Sequence, residues 1–390
     1  MNVLYTIKNY IFNRVFKLNQ KIIKEIELVD EYIEHFNEPK KLFDRSYYQY
    51  LCQKKQYEYS KLYCILYDVM NLFSLFMIIL LLILPKRLYY FFFPIKEIEK
   101  DVDAVAVFGK HLEDRIPEEL KKEFNKIHYL ESKALLITNL EKKYIFELWR
   151  EHPFSCNFVL KNLLKVGIYR HSIEEYKNAS AIICSCEYSY TSSILTQYCR
   201  RRNIVHINIM HGEIYTELSK AFFEFDRFYI WDEYYKKLCV ERMRASANQF
   251  IVGVPSCLLF DDVSQENIIE CKYFFQDHTK DQMVKVKQLL EKITENYMVR
   301  PHPLYTNIES LKEVFEESKI ESSKISIGRS IMETEKIISW DSTVLLQAYL
   351  NGKKTIIDDV SNKSRYKYAV SAGYIMANKS KILSHIIVND

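Results

Sequence analysis

The longest apolar run in the chain is Val69 to Leu84, VMNLFSLFMIILLLIL, sixteen residues without a charge. A simple membrane-spanning helix needs roughly 20 such residues, and Asp68 stops this one from extending backwards. Pro85-Lys86-Arg87 and then the aromatic stretch Leu88 to Phe93 follow it, and Lys54, Lys55 and Lys61 precede it. Basic residues on both flanks leave direction open, while clustered Tyr and Phe have the character of a membrane interface. The pattern predicts a segment dipping into one leaflet, with a true span and a buried core helix as alternatives. Before it, Ile22 to Val29 reads as an amphipathic helix. Met1 to Leu18 mixes Lys8, Arg14 and Lys17 with aromatics and shows no small-residue cleavage site, so no secretory leader is expected.

From Asp101 the texture changes to alternating strands and helices. Val102 to Phe108, Ala181 to Cys186 and Ile204 to Met210 are short apolar runs of strand length. Ser189 to Arg202 lies between the last two as a helix ending in three arginines, which suit a helix C-terminus. Phe225 to Ile230 and Phe250 to Val254 read as further strands. A second series follows at Asn296 to Val299, Glu335 to Ser339 and Thr355 to Ile357, with helices over Asp281 to Thr294 and Ile308 to Ser318. Val344 to Leu350 adds a helix that Gly352 should stop. Strand, helix, strand at this spacing implies α/β units with parallel sheets and crossovers. The expected division is a helical, membrane-associated region over 1–100 and two Rossmann-like domains, 101–230 and 231–390, facing one cleft.

Composition narrows the function. Glycine is scarce at 7 of 390 residues, which argues against Gly-rich phosphate loops. A net charge of +4 gives no one-sided field for nucleic acid. Nine cysteines without regular pairing suggest reduced thiols. Cys184 and Cys186, in an apolar strand, are read as buried thiols, with zinc ligation as the alternative.

In such sheets ligands bind beyond the carboxyl ends of the strands, so the polar groups there are the candidate chemistry. Glu187 follows one strand, and His211-Gly212-Glu213 follows the next. Arg300-Pro301-His302-Pro303 holds an imidazole between prolines that exclude helix. Asp341, Ser342 and Thr343 open the helix before Gly352, where hydroxyls and backbone N–H groups make an anion site. Together they suit a nucleotide-linked, phosphate-bearing substrate. Asp101-Val102-Asp103 opens a strand instead of closing one, and Asp358-Asp359 has no neighbouring histidine, so neither is expected to hold metal.

In order and spacing, Met210-His211-Gly212-Glu213, Val299-Arg300-Pro301-His302-Pro303 and Ser339-Trp340-Asp341-Ser342-Thr343, with Phe225 to Trp231 before the second motif, resemble bacterial GT-B glycosyltransferases of surface polysaccharides. The patterns are similar to those of bacterial sialyltransferases and of CDP-glycerol glycerophosphotransferases. The likeness covers about Asp101 to Ala377. It implies an acceptor-side first domain and a donor-side second domain, with His302 on the donor phosphate, Arg300 supporting it, and Asp341, Ser342 and Thr343 at the same site. His211 matches a His-Gly base and Glu213 is the nearest carboxylate for a sialyltransferase-like base; Glu187 is a third catalytic candidate.

The implied enzyme is an inverting, metal-independent sialyltransferase using a CMP-linked sugar in O-antigen, capsule or lipooligosaccharide synthesis. A CDP-polyol phosphotransferase or a UDP- or GDP-hexose transferase is the alternative. No bound cofactor or metal is expected beyond the nucleotide-sugar donor. The acceptor would be a glycan or lipid-linked oligosaccharide at the cytoplasmic face of the inner membrane. A membrane-tethered, noncatalytic glycan-binding scaffold is the reading of another class.

Overall fold

The computed structural model describes residues 29, 31–57, 61–92, 102–130, 134–260 and 269–389. Met1 to Leu18, Asp101 and all of the expected helix Ile22 to Val29 except its last residue lie outside them. The chain forms two compact units, one of residues 1–211 and 216–254, the other of 212–215 and 255–390.

The first unit is built on six parallel strands: β1 (Ala104–Ala106), β2 (Ile127–Tyr129), β3 (Ala181–Cys184), β4 (Val205–Ile209), β5 (Arg227–Ile230) and β6 (Phe250–Val252). Their order is β2-β1-β3-β4-β5-β6. In the central strands β1 and β3 side chains on both faces are buried, as parallel sheets require, and Ile183, Ile207 and Ile209 join one core with Ala104 and Ala106. Because β6 pairs with β5 through Phe228 and Phe250, the boundary expected after residue 230 falls inside this sheet. The helix Glu233–Met243 connects the two strands.

Helices before the sheet share its core. Phe43 and Tyr50 from Leu42–Tyr57, and Ile78 and Leu81 from Lys61–Ile83, are buried with Tyr144, Phe158, Leu163 and Ile194. Residues expected to stand apart as a membrane region are therefore in part structural. Two long helices that the apolar pattern left unmarked, Asn139–Glu151 and Cys156–Glu175, complete this layer. The first opens on a capping box, Thr138 with Glu141, which satisfies two N-terminal donors reciprocally. The second approaches Leu136 so closely that a Cβ on Gly167 would lie 2.4 Å from a Leu135 methyl.

The helix Lys61–Ile83 has two unlike faces. Ser74, Ile78 and Leu81 are buried, whereas Val69, Leu72, Phe73, Phe76, Leu80 and Ile83 are exposed, Leu72 and Ile83 at 71% and 74%. Their spacing of three and four residues makes one continuous apolar stripe. Lys142 closes the helix by donating to the carbonyls of Leu82 and Leu84. Among the described residues no helix is long and apolar enough to cross a membrane.

The second unit has five parallel strands, β7 (Ile269–Phe274), β8 (Tyr297–Arg300), β9 (Thr334–Ser339), β10 (Lys354–Ile357) and β11 (Lys381–Ile382), in the order β11-β10-β9-β7-β8. The helix Thr343–Leu350 ends before Gly352, whose φ of 73° is the left-handed value expected there.

Candidate active site

Strand order fixes where each unit can bind. In the first sheet the chain leaves β1 toward β2 and leaves β3 toward β4, so the connections diverge between β1 and β3. In the second they diverge between β7 and β9. A crevice opens beyond the carboxyl ends at such reversals.

In the first unit that point is a cavity of about 540 Å³, lined among others by Gly109, His111, Lys165, Ser185, Cys186 and His211. His211, just past β4, presents Nδ1 3.8 Å from Oε1 of Glu187. That is beyond hydrogen-bond range, although catalytic contacts often tighten only when substrate is bound. Glu187 is 2% exposed. Its other oxygen accepts from Asn208 Nδ2 at 3.3 Å, and its carbonyl accepts from Gln49 at 2.9 Å, which ties the loop to the helix Leu42–Tyr57. Arg115 donates to the His211 carbonyl at 2.9 Å. The structure thus brings Glu187 and His211 together. A Cβ on Gly212 would meet nothing within 4 Å, so no steric demand selects glycine there.

The two strand-end thiols differ. Cys184 is buried and burial pushes its thiol well above the usual range. Cys186 lines the cavity, and the hydrogen bond with Cys184, aided by Lys165, draws its thiol below the usual range. Asp103 accepts from the Lys126 N–H at 3.2 Å and so joins β1 to β2.

Glu213 belongs to the short segment counted with the second unit. There Tyr215 stacks on Tyr374 with ring centroids 6.0 Å apart. Burial first, then the Glu213 charge, raises both phenols.

In the second unit His302 is held on several sides. Its backbone N–H donates to Thr306 Oγ1 at 2.8 Å, its ring stacks on Tyr305, and its Nδ1 accepts from the Leu304 N–H at 3.1 Å. Accepting at Nδ1 places the proton of the neutral ring on Nε2, which makes that nitrogen a donor. Burial lowers the His302 pKa, with Asp277 acting in the opposite direction.

The other expected phosphate groups serve differently. Arg300 is turned into a buried network: its guanidinium bonds Glu321 and the Ile325 carbonyl, and Glu321 also accepts from Lys272 and from Ser330. Burial alone would raise Glu321, but these donors hold it below the carboxylate range. Arg300 therefore neutralises a buried carboxylate. Asp341 binds the guanidinium of Arg365, which also holds Asp277 at 2.6 Å and Gln276. Two carboxylates on one guanidinium leave no positive excess for phosphate. Ser342 is the N-cap, accepting from the Val344 N–H at 3.4 Å, and its own N–H donates to the Tyr374 hydroxyl at 3.0 Å. Thr343 is exposed at the first helical position.

Sequence reasoning missed Gln276, Asp277, His278 and Arg365. Gln276 links the loops, accepting from Thr306 at its carbonyl and donating to the Asp341 carbonyl at 3.2 Å. His278 stacks on Trp340 with centroids 3.4 Å apart. None of the four sits in an apolar-run-to-helix motif, and β7, which leads to three of them, was itself unmarked. Asp358 accepts from Tyr273 and from the Val360 and Ser361 N–H groups, and Asp359 from Ser384, so both carboxylates serve the turn after β10.

No protein-family model and no curated protein matches the chain. Among solved structures it is similar to the UDP-GlcNAc 2-epimerase of Neisseria meningitidis bound to UDP-GlcNAc, at 11% identity and TM-score 0.39, over 74% of this chain and 100% of that one. It is also similar to the wall teichoic acid polymerase TagF, at 10% identity and TM-score 0.36, over 82% and 88%. A third is the glycotransferase of kitacinnamycin, at 8% identity and TM-score 0.39, over 73% and 86%.

Proposed function

We propose that the protein is a GT-B-type transferase of bacterial surface-glycan synthesis that moves a sugar or polyol phosphate from a cytidine-activated donor to a hydroxyl acceptor. The observation that carries this reading is the pairing of His211 with the buried Glu187 beside a cavity at the sheet's reversal point. With Nδ1–H directed to Glu187, Nε2 of His211 is a free lone pair that takes the acceptor's proton as its oxygen attacks the donor. The bond to the nucleotide phosphate breaks as the new bond forms, and His302 donates Nε2–H to the departing phosphate.

A histidine base favours the His-Gly pattern of the CDP-polyol enzymes over the sialyltransferase reading, for which Glu213 would act. Thermal shift with CMP, CDP, UDP and GDP tests the donor class, because a ligand that binds only the folded chain raises its midpoint. Stabilisation by a cytidine nucleotide, followed by turnover with CDP-glycerol or CMP-sialic acid, is the expected outcome. Stabilisation by UDP or GDP alone removes the cytidine assignment. No nucleotide response leaves the scaffold reading.

The apolar stripe of Lys61–Ile83 supports a location on the cytoplasmic face of the inner membrane, as a peripheral or monotopic protein. Its exposed Leu, Ile and Phe side chains would each contribute about 1 kcal/mol or more when covered by acyl chains. Lys86 at its end suits anionic headgroups. A lipid-linked acceptor would be found at the same surface.

A further inference from the structure

Two buried polar atoms at the cavity of the first unit lack a hydrogen-bond partner, and a lysine lines the same cavity. The Ser185 hydroxyl is buried without a hydrogen-bond partner, and so is Nδ1 of His211. Lys165 forms no ion pair with any described carboxylate, although it lines the cavity. Lys161 lies one turn before it on the helix Cys156–Glu175, with its ammonium 4.0 Å from the Tyr190 ring centroid. Like charges four residues apart on a helix repel, and an anion bound at Lys165 lowers that cost. At the His211 end the buried Glu187 carboxylate disfavours an anion. The lining thus offers a cation at Lys165, beside the Cys186 thiol on which it acts, and at His211 a group suited to a neutral hydroxyl.

From this polarity we infer that the acceptor is a phosphate monoester that also carries a free hydroxyl, with its phosphate at Lys165 and Ser185 and its hydroxyl at Nε2 of His211. A phosphate dianion matches a lysine and a hydroxyl donor better than a carboxylate does, because it offers three strong acceptor oxygens. The cavity volume is in the range of small-molecule sites. The inference rests on the transferase reading for the hydroxyl's role, but the binding it describes requires no donor.

Calorimetric titration of the full-length protein with glycerol 3-phosphate and with glycerol measures the phosphate's part alone. The phosphorylated probe should bind at least about tenfold more tightly, the scale of one charge-assisted contact. Lys165→Gln should abolish that difference and Lys165→Arg should keep most of it, both retaining the wild-type melting temperature and nucleotide response. Phosphatidylcholine vesicles with and without lysophosphatidic acid separate a lipid source of the phosphate from a soluble one. A Lys165-dependent gain on the acidic vesicles assigns a lipid acceptor, and a response to glycerol 3-phosphate alone assigns a soluble one. Equal binding of both small probes with no Lys165-dependent gain on vesicles, or unchanged discrimination in folded Lys165→Gln, overturns the inference. Loss of nucleotide binding would instead count against the transferase reading.

Discussion

Nδ1 of His211 lies 3.8 Å from a carboxylate oxygen of Glu187 that is almost wholly withdrawn from water. A carboxylate in that position can accept from Nδ1–H once the contact tightens, which leaves Nε2 as the nitrogen that faces a substrate. Glu187 is thus a positioning residue.

Glu187→Gln preserves shape and removes the charge. It should lower kcat about 10²-fold, within the span of general-base effects, with little change in KM for the donor. An equal rise in KM without loss of kcat would mean that Glu187 only supports the loop.

His302→Ala should also cost about 10² in turnover, as for removal of one transition-state donor, while folding stability changes little. Steady-state kinetics beside a urea titration checks both. Full activity would remove His302 from the site.

Arg300 gives the opposite expectation. Its guanidinium bonds a carboxylate that is 3% exposed. Removing one partner of a buried pair costs about 3–5 kcal/mol, so Arg300→Ala should shift the urea midpoint strongly downward. A stable variant that has lost only nucleotide binding would restore Arg300 as a ligand.

His206 on β4 is completely buried, with Nδ1 2.8 Å from Thr196 and Nε2 3.0 Å from Tyr169. Burial, with Arg200 adding to it, pushes its pKa down to about 3. The unfolded chain binds this proton near pH 6.5 and the folded chain does not. Its contribution is therefore present above pH 6.5 and is lost as pH falls from there toward 3, by up to about 1.4 kcal/mol per pH unit. Urea unfolding at a series of pH values should show this slope, and His206→Gln should flatten it.

Attachment to membranes is expected to survive molar salt, since apolar contact is not screened. Phe76→Glu with Ile83→Glu, at positions 63% and 74% exposed, should release a folded protein. Ile78→Glu, on the buried face, should unfold it. A wild-type chain that remains wholly in the soluble fraction defeats the assignment.

The legibility of the sequence followed burial chemistry. Ala181–Cys184 could be read because a central parallel strand is apolar on both faces, and Val205–Ile209 because Val205, Ile207 and Ile209 alternate along one face. Ile269–Phe274 could not, because Lys272 sits at its centre, 1% exposed and neutralised by Glu321 from a distant segment. The same distant carboxylate also holds Arg300, a pairing no local pattern announces. His302 was readable because prolines and a short loop fix it locally. Asp341 was found at the strand end, but Arg365, which decides what it does, comes from a helix with no motif. The Glu187–His211 contact depends on β3 and β4 being neighbours, a property of topology instead of local pattern.

The chain does not divide cleanly at Pro255. Gly212 to Tyr215 is counted with the second unit, where Tyr215 covers one face of Tyr374, and the Tyr374 hydroxyl donates to the Ser342 carbonyl at 2.7 Å. A fragment begun at residue 255 would therefore carry an uncovered aromatic ring directly beneath its helix cap. Splitting this protein for expression thus calls for grafting the tetrapeptide back, or for replacing Tyr374 with a smaller residue and re-securing Ser342 by other means.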